Sequence, residues 1–187
     1  LDDAVSLADF ADLASIGYAH FSTHGDQYFE DLAVSWDEAL GPGDFLQGSR
    51  GLVLMDSGLA LGFAPSGALD YSAIEDDLVA KRIAVTAGGR LLLTPAFFDY
   101  YLPSLPSTLV VLSSCRSSYN DSLLNAFLRK GAGAVVGFSD SVSVDYAFAA
   151  TGSLVSGLLA DQSLEDALAD TGATLGPEDG DATPAFI

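Results

Sequence analysis

The chain has 187 residues, 49% of them hydrophobic, with 26 acidic against 7 basic side chains and a formal charge of −19. The apolar share supports one domain with a substantial core, while the charge repels phosphate backbones and anionic lipid surfaces, so no nucleic acid is expected as a partner. A lone cysteine excludes an internal disulfide, and two histidines leave a Cys/His site short of ligands, so a structural metal is not expected.

The apolar runs over residues 52–55 and 108–112 fall far below the roughly 20 residues of a membrane span, so no membrane role is expected. The chain reads as soluble, cytoplasmic or secreted, with an aspartate-rich surface suited to high salt or to export. Its acidic clusters lack the D-x-D-x-D-G order of a calcium loop.

In chain order, the opening VSLADFADL puts Val5, Leu7, Ala8, Phe10, Ala11 and Leu13 on one side of a helix that Gly17 ends. Aromatic and β-compatible residues predict a strand over 16–22, closed by Thr23-His24-Gly25-Asp26, where the chain must turn. Two apolar runs around Asp56-Ser57-Gly58 predict a hairpin over 51–63. A short helix over 73–81 follows, then a second hairpin turning at Gly88-Gly89. Thr94-Pro95 has the form of an N-cap and first helical residue, opening a helix through Phe97, Phe98 and Tyr101 that Pro103 and Pro106 end.

The run over 108–114 is almost continuously apolar, the pattern of a strand buried on both faces of a parallel sheet, and Cys115 follows at its carboxyl end. Asp121 or Ser122 caps the next helix, with Leu123, Leu124, Phe127 and Leu128 as its apolar stripe and Gly131 as its stop. A strand over 134–139, a loop over 140–145 and a helix over 146–159 come next. A capping-box-like SLED at 163–166 starts a final short helix. The domain spans 1–172, and residues 173–187 form an acidic Gly/Pro-rich tail, expected to be loose. Strand and helix alternation in this order argues for an α/β fold with parallel central strands.

Binding and catalytic groups of such sheets collect outside the carboxyl ends of the strands, where both His24 and Cys115 fall; they meet if their strands are neighbours. A thiolate is a nucleophile, and a nearby imidazole favours that form and can hand a proton to a leaving amine. Gly25 leaves its N–H unhindered for an oxyanion, together with the N–H of Cys115. The residues alone also fit a plainer arrangement, with Cys115 as a small core residue and His24 as a satisfied polar group. His20 shares the parity of Ser22 and His24 and is expected to face the same side as structural support.

The segments HFSTHGD, LVVLSSCRSS, LLNAFLRKGAGAVVGFSDSV and SLVSGLLADQSLEDAL together resemble CHAT domains, within the caspase, gingipain and separase-like clan of cysteine peptidases, over residues 13–168. The resemblance implies a caspase-like three-layer sandwich with a mostly parallel central sheet flanked by helices. The first strand or strands of that sheet are missing from this chain, which implies that another segment or chain completes it. It further implies peptide-bond hydrolysis on a protein or peptide substrate, with Cys115 as nucleophile, His24 as general acid, Gly25 and Cys115 as the oxyanion hole, and no cofactor.

In that clan the loop after the strand that follows the cysteine shapes the pocket for the residue before the scissile bond. Here it reads SDSVSVD, so Asp140 first, Asp145 second and Asp26 third are the candidates for an acidic floor that takes Arg or Lys. Ser113 stands where metacaspases keep a pocket aspartate, so basic specificity does not carry over from them. Arg116 is reminiscent of the caspase Ala-Cys-Arg triplet and is left out of catalysis. The competing expectation is a catalytically inactive caspase-like protein-interaction module; a hydrolase using Ser114 is the remote third.

Overall fold

The computed structural model describes residues 16–26, 52–67, 70–86 and 88–178; the helix expected before Gly17 and the end of the tail, 179–187, lie outside them. In order along the chain come β1 (Tyr18–Ser22), β2 (Gly25–Asp26), β3 (Leu54–Ala60), α1 (Glu75–Val79), β4 (Ile83–Val85) and β5 (Arg90–Leu93). There follow α2 (Pro95–Tyr101), β6 (Leu109–Ser113), α3 (Asp121–Arg129), β7 (Ala134–Val136), α4 (Val144–Leu159) and α5 (Leu164–Leu175). The fold is α/β. A parallel sheet in the order β1-β6-β7 stands beside an antiparallel sheet in the order β2-β3-β5-β4.

β6 lies between β1 and β7, which is why its sequence LVVLS is apolar almost throughout. Successive side chains alternate between the faces. Val110 and Leu112 join Ala19 on one face, in a large core with Leu123 and Phe127 of α3 and Phe97 and Phe98 of α2. Val111 enters the other face, against Val136, Leu154 of α4 and Ala167 of α5. Helices thus cover both faces of the parallel sheet. The large core also takes Val53, Met55, Leu91 and Leu93, so the two sheets share it. Phe127 sits at its centre, with ring centroids 5.5 Å from Phe21 and 4.9 Å from Phe98.

The chain departs from the sequence expectation where polar side chains serve their own backbone. The Asp56-Ser57-Gly58 triplet is no hairpin turn; β3 runs straight through it, and register moves from Asp56 opposite Leu92 to Ala60 opposite Arg90, leaving two extra residues as a bulge. Asp56 Oδ1 accepts from the Gly58 N–H at 2.9 Å, and Ser57 Oγ donates to the Leu91 carbonyl at 2.8 Å. Gly58 adopts φ +75°, and Arg90 pairs with Asp56 at 2.9 Å. The kink is therefore satisfied inside the sheet rather than at its edge.

α3 is capped by Asn120, one residue earlier than expected, because Ser122 Oγ is occupied in accepting the Val53 N–H at 3.0 Å. Thr94 does hold the N-cap position of α2, yet its hydroxyl donates to the carbonyls of Lys81 and Arg82 instead of capping. β7 stops at Val136, three residues short, since the Phe138 N–H turns to Ser117 Oγ and the Phe138 carbonyl accepts from Ser118 N–H. α5 continues past Gly172 to Leu175, and Glu178 accepts the Ser143 N–H, so the tail's first residues are fastened to the start of α4. Among the described residues no helix is long and apolar enough to cross a membrane.

Candidate active site where the two sheets meet

β1 and β6 are neighbours, parallel and in register as far as Ser22 opposite Ser113. His24 and Cys115 each stand two residues beyond that last pair, so the two strands deliver them side by side at the same sheet end. Both line one cleft of about 390 Å³, together with His20, Ser22, Ser113 and Ser114.

His24 lies where the chain leaves the parallel sheet for the antiparallel one. Its carbonyl accepts the Asp56 N–H at 2.8 Å, while Thr23 donates from its N–H to the Ser113 carbonyl at 3.4 Å and from Oγ1 to the Asp56 carbonyl at 2.7 Å. The backbone under the imidazole is thereby fixed to both sheets. Gly25 is buried, and a Cβ there would come within 2.9 Å of both the Cys115 carbonyl oxygen and Ser114 Oγ. Only glycine lets the two strand ends approach this closely.

Cys115 is half-buried, with Sγ donating to the Val142 carbonyl and accepting the Val142 N–H, each at 3.4 Å. The next residue, Arg116, takes φ +53°, the left-handed conformation that costs an L-residue about 1 kcal/mol. Asp140 clamps that turn from the side: its carbonyl accepts the Arg116 N–H at 3.0 Å and its carboxylate accepts Arg116 Nε at 3.0 Å. The Ser141 N–H and, after it, the Arg116 guanidinium hold the Asp140 carboxyl below its ordinary value of 3.8. Asp140 is exposed, Asp145 is exposed in the first turn of α4, and neither is among the residues that line the cleft.

His20 faces the cleft, as its parity predicts. Its Nε2 lies 2.7 Å from Ser113 Oγ, which in turn lies 2.7 Å from Thr151 Oγ1 of α4. Burial pushes the His20 imidazole below its ordinary value of 6.5. Ser114 Oγ is buried and has no hydrogen-bond partner among the described residues.

The structure therefore gathers His24, Gly25 and Cys115, and sets Asp140 and Asp145 apart from them. It adds a wall: Val142, Ser143 and Val144 belong to the segment 139–145 that the sequence put at the pocket, whereas Ala147 and Phe148 of α4 were not singled out. Spacing held a signal for it, because residues 144, 147 and 148 share one helical face. Among the described residues no group of three or more His, Cys, Asp or Glu is arranged to hold a metal ion. Comparison with known proteins finds no family model and no curated protein that matches the chain.

Proposed function

We propose that the protein is a cysteine endopeptidase with a Cys115–His24 dyad, on a caspase-like fold of the kind that CHAT domains have. The in-register pairing of β1 with β6 carries this reading, because it brings the sole cysteine and a histidine to adjacent strand ends on one cleft. Helices on both faces of the parallel sheet support the fold assignment.

In this mechanism Cys115 Sγ, as thiolate, adds to the peptide carbonyl carbon, and the carbonyl oxygen becomes an oxyanion facing the N–H groups of Gly25 and Cys115. His24, as imidazolium, protonates the departing amine while the C–N bond breaks and a thioester remains. Water then adds to the thioester carbonyl, giving its proton to the now neutral His24. The C–S bond breaks, and the carboxylic acid leaves with the thiolate and imidazolium restored.

The test is cleavage of a denatured, quenched fluorescent protein by wild type, Cys115→Ala and His24→Ala. Loss on the order of 10³-fold or more is expected for Cys115→Ala, and about 10²–10⁴-fold for His24→Ala, with unchanged circular dichroism. Undiminished cleavage by pure Cys115→Ala overturns the proposal. No cleavage by wild type, with Cys115 alkylated at the rate and pH dependence of an ordinary thiol, favours an inactive interaction module.

A further inference from the structure

The wall opposite the strand ends is made of Val142, Ser143, Val144, Ala147 and Phe148. Val144 is 80% exposed and Phe148 is 82% exposed, although both are large apolar side chains on the first two turns of a well-capped helix. They are one turn apart, so they form a single apolar strip along the cleft. Val142 connects that strip to the nucleophile, since its N–H and carbonyl both lie 3.4 Å from Cys115 Sγ.

Charge is distributed in the opposite sense. Among the described residues, the ionisable side chains lining the cleft are His20, His24 and Cys115, with no carboxylate among them. Asp140 is engaged with Arg116 and the Ser141 N–H, outside the lining. An arginine or lysine side chain held against this described lining would lose water without gaining a counter-charge from it, which is unfavourable. An apolar side chain would instead cover Val144 and Phe148, and about 390 Å³ lies within the range of small-ligand pockets. The formal charge of −19 acts on how fast a peptide arrives and is screened by salt; it does not select the side chain held against the wall.

We infer that the cleft selects substrates with an apolar side chain, of leucine to phenylalanine size, in the acyl part that Cys115 attacks. This rests on the cysteine-peptidase reading above. The acyl part is the portion that stays bonded to Sγ, and Val142 puts the apolar wall beside that atom.

The experiment is the rate of adduct formation, by intact mass, on the full chain with peptidyl acyloxymethyl ketones ending in Leu, Phe, Arg, Lys or Asp. Sγ displaces the carboxylate leaving group, so each productive reaction adds one peptidyl methyl ketone. At low and high salt alike, Leu and Phe probes are expected to react on the order of tenfold faster than Arg or Lys probes. Phe148→Ser, at an exposed helix position, is expected to erase that preference; a preference for Leu and Phe that survives this change overturns the inference. Faster reaction with Arg or Lys at both salt concentrations overturns the inference in favour of an acidic subsite at Asp140 or Asp145, leaving the peptidase reading intact. Equal rates for all five probes overturn it too. No adduct from any probe, while iodoacetamide still alkylates Cys115, overturns the peptidase reading and the inference with it.

Discussion

Around the antiparallel sheet, polar side chains that go inside are tied to close partners. Asp77 takes Arg82 Nε and the Tyr101 hydroxyl, the latter at 2.9 and 3.0 Å, while the Arg82 guanidinium lies 4.1 Å over the Tyr100 ring. Asp56 holds Arg90, and Thr94 satisfies two carbonyls. At the carboxyl end of the parallel sheet the arrangement is looser. Ser114 Oγ is buried with no partner among the described residues, Cys115 has only two sulfur contacts at 3.4 Å, and His20 shares Ser113 with Thr151. Native interiors satisfy buried polar groups almost completely, so the exceptions mark where hydrogen-bonding capacity is kept for something else. Polar groups are closely satisfied around one sheet and less so at the end of the other.

The strongest way to break that comparison is through the residue that joins the halves. Phe127→Ala, at a fully buried position in the core that both sheets share, against Phe21 of β1 and Phe98 of α2, is expected to cost about 3–5 kcal/mol and to lower one common unfolding transition. A separate transition surviving for one sheet would show that the core is not shared. Asp77→Ala comes next, at about 1–3 kcal/mol, because it leaves Arg82 and Tyr101 without their acceptor. Well below its melting temperature this variant is expected to keep the wild-type rate of Cys115 alkylation; a changed rate would end the division between scaffold and site. The smallest effect concerns acid. Burial depresses the His20 imidazole in the folded chain, so below its ordinary value of 6.5 the unfolded chain binds more protons and stability falls as pH falls. Urea midpoints of His20→Gln between about pH 7 and pH 5.5 are expected to decline less steeply than those of wild type; an unchanged slope would remove His20 as a titrating group.

Much of this was readable from residue order. The β-compatible run before His24, the apolar run before Cys115, the Gly131 stop and the Ser163 cap each carry a local signal, and the first two give His24 and Cys115 their strand-end positions. Strand adjacency is different, since parallel pairing joins segments with no local mark of their partner, and only the structure establishes that β1 lies beside β6. The Asp56 bulge was misread because its polar triplet has the composition of a turn while its bonds run inward. Asp140 was read as the first candidate for a pocket floor; that Arg116 adopts a left-handed turn, which Asp140 clamps, is a property of backbone angles that composition does not reveal.

The attachment of His24 and Thr23 to both sheets also bears on the order in which the strand ends come together. β4 and β5 pair across a short turn, whereas Thr23, next to His24, meets Ser113 from 90 positions away in sequence (113 − 23). Contacts of that span close late, after the entropy of the intervening loop has been overcome. In a nascent or half-assembled molecule Cys115 and His24 are therefore apart, and only completion of the fold brings them to one cleft.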